Sequence, residues 1–224
     1  AAASLAACAL VGLAVWILRP SPSGSSPAVT RFAISLPAGQ TLAPLDSPAV
    51  ALSPDGTRLA YIAIQGGVQQ LYLRAMDSPE AKPLPGTEGA FSLFFSPDSQ
   101  WVGFTAAGKL KKISVSGGAA VTLGDPTPTF PGASWGSGDS IVFRDAGGGG
   151  LWQVSGAGGT PQRLTTLDSK KGDGTHNWPE FLPGGKALLF VAGTNSASLA
   201  NNGQVTVHSL QTGERRNLIG GTSP

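Results

Sequence analysis

The segment Ser-Pro-Asp-Gly at residues 53–56, followed by the apolar stretch RLAYIAI, returns at residues 96–99 as Ser-Pro-Asp-Ser, followed by WVGF. Two later units keep a turn-forming sequence in the same place, GSGDS at 136–140 and LPGGK at 182–186. Each apolar stretch carries an aromatic residue, and these residues are 43, 39 and 47 positions apart: Tyr61, Phe104, Phe143 and Phe190. This spacing predicts a fold assembled from similar units of several strands each.

The chemistry of the turn explains why it recurs. A serine hydroxyl accepts backbone N–H bonds, proline fixes φ near about −65°, aspartate bonds its own backbone, and glycine supplies the left-handed conformation. These local preferences assign a structural and not a catalytic role to two sets of residues: Ser53, Pro54, Asp55 and Gly56, and Ser96, Pro97 and Asp98.

Composition agrees with a folded chain of many short strands. The 224 residues include 32 glycines and 18 prolines, with 12% charged and 41% hydrophobic residues, whereas disordered chains are richer in charge. The sequence therefore predicts an all-β fold, an open arc of a β-propeller within residues 31–224. Its four blades, each of four short antiparallel strands, are expected at about 48–85, 91–123, 132–165 and 178–219.

The first nineteen residues have a different character. Ala1–Leu18 carry no charge, and as a helix they would span about 27 Å, close to the hydrocarbon thickness of a bilayer. We expect a single transmembrane α-helix at 1–19, with a cleaved signal peptide as the alternative. The Pro-, Ser- and Gly-rich residues 20–30 are typical of a linker.

Several function classes find little support. The net charge is only +2 and the basic residues are scattered, so no nucleic-acid partner is expected. The one cysteine, Cys8, permits neither an internal disulfide nor a cysteine cluster. Asp168 and Asp173 share a loop, but the alternating acidic pattern of a calcium site is absent. We expect no catalytic residue, no metal and no cofactor in this chain.

One segment remains a candidate for ligand contact. His176, Asn177 and Trp178 precede the inner strand of the fourth unit. Their simpler interpretation is that they hold the crossing between two blades. The alternative is that they contact a ligand on one face of the propeller.

The repeats resemble the TolB-like, WD-related propeller family. The segments ALSPDGTRLAYIA, LPGTEGAFSLFFSPDSQWVGF and HNWPEFLPGGKALLF further resemble the extracytoplasmic propeller of bacterial receptor serine/threonine protein kinases. That resemblance implies a single-pass membrane protein with the propeller outside the cytoplasm and a kinase domain upstream, where ATP and magnesium would bind. It also implies that the strand at 31–37 latches a last blade, which this chain lacks.

The function implied is a sensor or protein-interaction module for an unknown protein or small-molecule ligand. Two alternatives stay open on the same repeats. The chain could be the propeller of a prolyl-oligopeptidase-like serine peptidase, or a TolB-like periplasmic scaffold.

Overall fold

A computed structural model describes residues 34–44, 48–124, 128–145, 149–193 and 203–220. These residues form seventeen β-strands and one 3-10 turn at Ser169–Lys171. Every one of these elements lies in the compact unit Leu36–Pro224. The strands build four antiparallel sheets that follow one another along the chain. Four successive antiparallel sheets are the architecture of a partial propeller.

The first two sheets take up residues 40–122. Sheet 1 contains β1 (Gln40–Leu42), β2 (Val50–Leu52), β3 (Arg58–Gln65), β4 (Val68–Ala75) and β5 (Ala81–Pro83). Sheet 2 contains β6 (Phe91–Phe95), β7 (Trp101–Ala106), β8 (Lys109–Ser114) and β9 (Val121–Thr122).

The other two sheets follow in the same order. Sheet 3 contains β10 (Pro128–Trp135), β11 (Ser140–Asp145), β12 (Leu151–Ser155) and β13 (Gln162–Arg163). Sheet 4 contains β14 (Thr175–Phe181), β15 (Ala187–Gly193), β16 (Gln204–Ser209) and β17 (Arg215–Gly220). Neighbouring sheets approach one another most closely through their first strands, β2, β6, β10 and β14.

Sheet 1 has one strand more than the repeat predicts. Both β1 and β2 pair with β3, Gln40 opposite Gln65 and Val50 opposite Tyr61. Of the strand expected at 31–37, residues 34–37 have no strand structure and residues 31–33 lie outside the described residues. Among the described residues, the segment of this region that joins a sheet is β1, which begins three residues after Pro37 and follows a turn in which the Gln40 N–H donates to the Pro37 carbonyl.

Three apolar clusters hold the four sheets together, one between each neighbouring pair. Ile62 and Leu71 of sheet 1 pack with Phe104 of sheet 2. Phe94 and Leu110 of sheet 2 pack with Phe143 of sheet 3. Val142 and Leu151 of sheet 3 pack with Phe190 of sheet 4. The aromatic residues of the repeated apolar stretches in sheets 2, 3 and 4, which are Phe104, Phe143 and Phe190, are thus each buried against the preceding sheet.

The prediction of fold class needs one correction. It placed a transmembrane α-helix at 1–19 ahead of the blades, but the described residues contain no α-helix and no helix long and apolar enough to cross a membrane. Residues 1–19 and the linker predicted at 20–30 lie outside the described residues. The fold class that the structure supports is all-β, with four antiparallel sheets.

Gly103 offers a direct test of the packing between sheets 2 and 3. A β-carbon at Gly103 would overlap the ring of Phe94, which is itself buried in the cluster with Trp135. Overpacking of this kind costs about 1–3 kcal/mol, so Gly103→Ala should lower the free energy of unfolding by that amount in urea titrations. Gly138→Ala is the matched control, since its β-carbon meets nothing within 4 Å. Equal stability of the two variants would contradict the packing described.

Candidate functional site

The two Ser-Pro-Asp turns have the same hydrogen bonds. Ser53 Oγ donates to Asp55 Oδ1 at 2.6 Å and accepts from the Arg58 N–H at 2.9 Å. Ser96 Oγ donates to Asp98 Oδ1 at 2.5 Å and accepts from the Trp101 N–H at 2.9 Å. The hydroxyl of Ser53 and the amide of Thr57 lower the pKa of Asp55 to about 2. Both carboxylates are engaged within their own turns, as structural residues would be.

The fourth position of the turn is left-handed in all four sheets, although only two sheets have glycine there. The residues and their φ angles are Gly56 (71°), Ser99 (61°), Asp139 (56°) and Gly185 (66°). Ser99 has a reason to keep its side chain, because its hydroxyl accepts the Asp55 N–H at 3.1 Å. This bond ties the turn of sheet 1 to that of sheet 2.

A groove of about 550 Å³ runs along the turn ends of the four first strands. Every sheet contributes to its lining, with Val50 and Leu52 from β2, Phe95 from β6, Trp135 from β10 and Phe181 from β14. The prolines of three turns complete it: Pro54, Pro97 and Pro183. Val50 and Leu52 are large apolar side chains that face solvent, so part of the apolar lining of the groove is accessible.

Glu180 is the one ionisable residue among the described residues that line this groove. Its side chain is open to solvent, yet the surrounding protein removes enough water to raise its pKa, which a hydrogen bond involving Ser134 partly offsets. Ser134 also accepts the Phe181 N–H at 3.2 Å, which links β10 to β14 beside the carboxylate. The groove therefore combines apolar walls with one acidic group.

His176 lies in the interior, at the contact between sheets 3 and 4. It is 0% exposed, and the centre of its ring lies 4.5 Å from that of Phe190. Its backbone N–H donates to the Gly149 carbonyl at 2.6 Å. Its Nδ1 is 2.7 Å from Thr165 Oγ1 and its Nε2 is 3.1 Å from Asp173 Oδ2. Burial lowers the pKa of His176 to about 4, against the opposing effect of Asp173.

The order hydroxyl, imidazole and carboxylate is also that of a nucleophilic triad, but its surroundings indicate a structural role. The Thr165 hydroxyl already accepts the Leu151 N–H at 2.9 Å, and Thr87 accepts the Leu71 N–H at 3.1 Å in the same position of sheet 1. Asp173 is held by Arg215, whose Nη1 lies 2.7 Å from its Oδ2. The network joins two sheets and has no solvent-exposed hydroxyl.

The structure places the other candidate ligand residues beside His176. Asn177 is buried, with its amide donating to Thr175 Oγ1 at 3.0 Å. Trp178 is half-buried at a bulge in β14 with φ of 54°, and its ring lies close to Gly132 of β10. These positions favour a role in the crossing between blades, and ligand contact by the three residues stays a prediction.

A second cavity, of about 260 Å³, lies between sheets 2 and 3. Lys112 occupies its wall, with Nζ 4.3 Å from the ring centre of Trp101 and 2.6 Å from the Gly156 carbonyl oxygen. Asp139 accepts from Trp135 Nε1 at 3.2 Å in the same wall. Lys112 therefore occupies the position beside the aromatic rings at which a cationic ligand would bind.

The loop with Asp168 and Asp173 is organised by its own backbone. Asp168 Oδ1 accepts the Lys170 N–H and the Asp168 N–H donates to Asp173 Oδ2, both at 3.1 Å. In the part of the chain that the structure describes, no three acidic, histidine or cysteine residues come together as metal ligands would.

The groove is the feature that sequence reasoning missed. Its lining comes from four segments spread over residues 48–185, so only the packing of the sheets brings them together. Val50 and Leu52 gave a weak indication of the groove in the sequence, because they are apolar residues directly ahead of the first turn. Glu180 gave none, because it follows Trp178 and Pro179 in a segment without any charged motif.

No protein-family model and no curated protein sequence matches the chain, but solved structures do. TolB from Acinetobacter baumannii is 19% identical with a TM-score of 0.64, over 77% of this chain and 43% of that one. A puromycin hydrolase is 17% identical with a TM-score of 0.57, over 78% and 28%. The β-propeller domain of the trilobed protease from Pyrococcus furiosus is 12% identical with a TM-score of 0.53, over 75% and 56%.

At these identities the likeness shows the fold alone, which is that of a TolB-like β-propeller. The chain spans about two fifths of the A. baumannii TolB structure and less than a third of the hydrolase. The resemblance to propellers is confirmed, whereas the resemblance to receptor kinases stays a prediction.

Substitutions at Ser99 separate the strain of its backbone from its bond to the neighbouring sheet. Ser99→Ala and Ser99→Gly both remove the hydroxyl that accepts from Asp55, but only glycine adopts a positive φ without a steric penalty. Ser99→Gly should therefore be more stable than Ser99→Ala by about 1 kcal/mol in urea titrations. An alanine variant as stable as the glycine variant would contradict the left-handed conformation at this position.

Acid should destabilise the fold through His176. The unfolded chain binds a proton at this residue near the ordinary pKa of 6.5, whereas the folded chain does so only near 4. The contribution of neutral His176 to the free energy of unfolding is therefore fully present above about pH 6.5. It is lost as the pH drops towards 4, which lowers the free energy of unfolding by up to about 3 kcal/mol. Thermal or urea denaturation between pH 7 and 4 measures this slope, and His176→Gln should flatten it. An unchanged slope in the variant would mean that another group is responsible.

Proposed function

We propose that the chain is a non-catalytic binding module of a sensor protein, which recognises a partner protein through the groove between its first strands. The observation that carries the proposal is the apolar lining of that groove, contributed by all four sheets and open to solvent. A concave surface of this size with mostly apolar walls and a few polar groups is a common form of binding site. Both histidines are buried, His176 fully and His208 nearly so, which supports a binding role over a catalytic one.

The parent protein is part of the same proposal. We place the module outside the cytoplasm in a bacterial serine/threonine kinase, because the repeat segments resemble the propeller of that family. The coding sequence upstream of Ala1 tests this directly, since kinase motifs there would support it. The alternative of a peptidase propeller is favoured by the likeness to puromycin hydrolase, and a Gly-x-Ser-x-Gly motif downstream of Pro224 would support that alternative instead.

Two leucines of equal exposure provide a matched test of the groove. Leu52 lines it, whereas Leu218 lies on the outermost strand β17, and each is 51% exposed. Leu52→Asp should weaken the binding of peptides selected from a displayed library by at least about tenfold, because the charge must be desolvated in the bound state. Leu218→Asp should leave binding unchanged. Fluorescence anisotropy with a labelled peptide measures both variants, and equal binding by both would exclude the groove.

A further inference from the structure

The lining of the groove between the first strands is mostly apolar and carries one carboxylate and two serine hydroxyls. Its lining includes Pro48, Val50, Leu93 and Phe95 from sheets 1 and 2, and neither sheet contributes a charged side chain. Sheets 3 and 4 contribute Ser134, Trp135, Phe181 and Pro183, and with them Glu180. Any ligand that fills the groove must therefore bury apolar surface and also meet one negative charge.

We propose that the groove binds an extended apolar peptide segment with a single lysine or arginine, whose side chain pairs with Glu180. The inference rests on the proposed function, that the groove is a protein-binding surface, and adds the chemical class of the ligand. Charge complementarity supports it, since Glu180 has no basic partner among the described residues and none lines the groove. A ligand with an acidic residue would instead place like charges together.

The residue types of the lining favour an extended chain as ligand. Prolines of three turns and the rings of Trp135 and Phe181 contribute to it. Aromatic-lined surfaces bind extended, proline-rich peptides, which lose little conformational entropy on binding. The carboxylate lies at one position only, on β14, so it fixes the place of the cation in the bound segment. The apolar contacts supply affinity and the ion pair supplies register.

The environment of Glu180 makes the ion pair worthwhile. Its side chain is open to solvent, and neighbouring protein raises the pKa of this carboxyl, so a cation placed beside it favours the ionised form. A bound ammonium or guanidinium group can form a charge-assisted hydrogen bond with this carboxylate. A neutral ligand at this position gains no such compensation.

A peptide library distinguishes this proposal from the broader one. Random nonapeptides displayed on phage are selected on the full chain, on Glu180→Gln and on Leu52→Asp, with Glu214→Gln as the control on an exposed outer turn. The wild type should enrich peptides with one basic residue among apolar and proline residues. Glu180→Gln should lose the basic preference but keep the apolar one, and Glu214→Gln should behave as the wild type.

A quantitative cycle then uses one selected peptide and its version with glutamine in place of the basic residue. The basic peptide should bind Glu180→Gln about tenfold more weakly than the wild type, whereas the glutamine peptide should bind both equally. Peptides that depend on Leu52 but are indifferent to Glu180, or that carry acidic residues, would overturn this inference alone. A selection without any binder sensitive to Leu52→Asp would overturn the proposed function and this inference together.

Discussion

The burial of one aromatic side chain against the preceding sheet is the contact on which the structure depends. Phe104, Phe143 and Phe190 occupy the same position in sheets 2, 3 and 4, and each is at most 1% exposed. Because side chains alternate along a strand, the neighbouring positions point to the other face and meet the following sheet. Sheet 2 shows both directions, with Phe104 packed on sheet 1 and Phe94 packed on sheet 3.

This two-sided packing fixes where the candidate site lies. It brings the first strands of the four sheets side by side, and their turn ends then form the walls of the groove. Bonds between sheets hold these turns in place, among them Ser99 with Asp55 and Ser134 with Phe181. A binding surface on strands that hydrogen bonds hold in place is pre-organised, so that a partner binds with little loss of conformational entropy in this chain.

The sequence predicted the parts of the fold that depend on local chemistry. The turn residues, the alternating strands and the spacing of the repeated aromatic residues indicated four units, and the structure has four antiparallel sheets. Local chemistry could not predict that β1 joins sheet 1, since its three residues are held there by contacts distant in sequence: backbone pairing with β3 and the hydrogen bond from the Tyr61 hydroxyl to Gln40 Oε1. The expected transmembrane helix rested on hydropathy, and nothing in the described residues supports it.

The site was harder to predict than the fold. His176 drew attention because histidines are scarce here, yet its burial against Phe190 depends on the approach of sheet 4 to sheet 3. Glu180 lies four residues away in the same strand, but at a bulge that turns the chain between Asn177 and Glu180. Such a change of register moves side chains to another face, so sequence alternation alone would not have placed Glu180 in the groove.

Hydrogen–deuterium exchange of the free chain and of its complex with a basic peptide tests the central claim most directly. A ligand that lies along the groove should slow exchange at the turn ends of the four first strands, residues 52–57, 95–100, 135–140 and 181–186. Exchange at the outermost strands, Val121–Thr122 and Arg215–Gly220, should stay unchanged. Protection confined to the outermost strands, with the turns unaffected, would contradict the account.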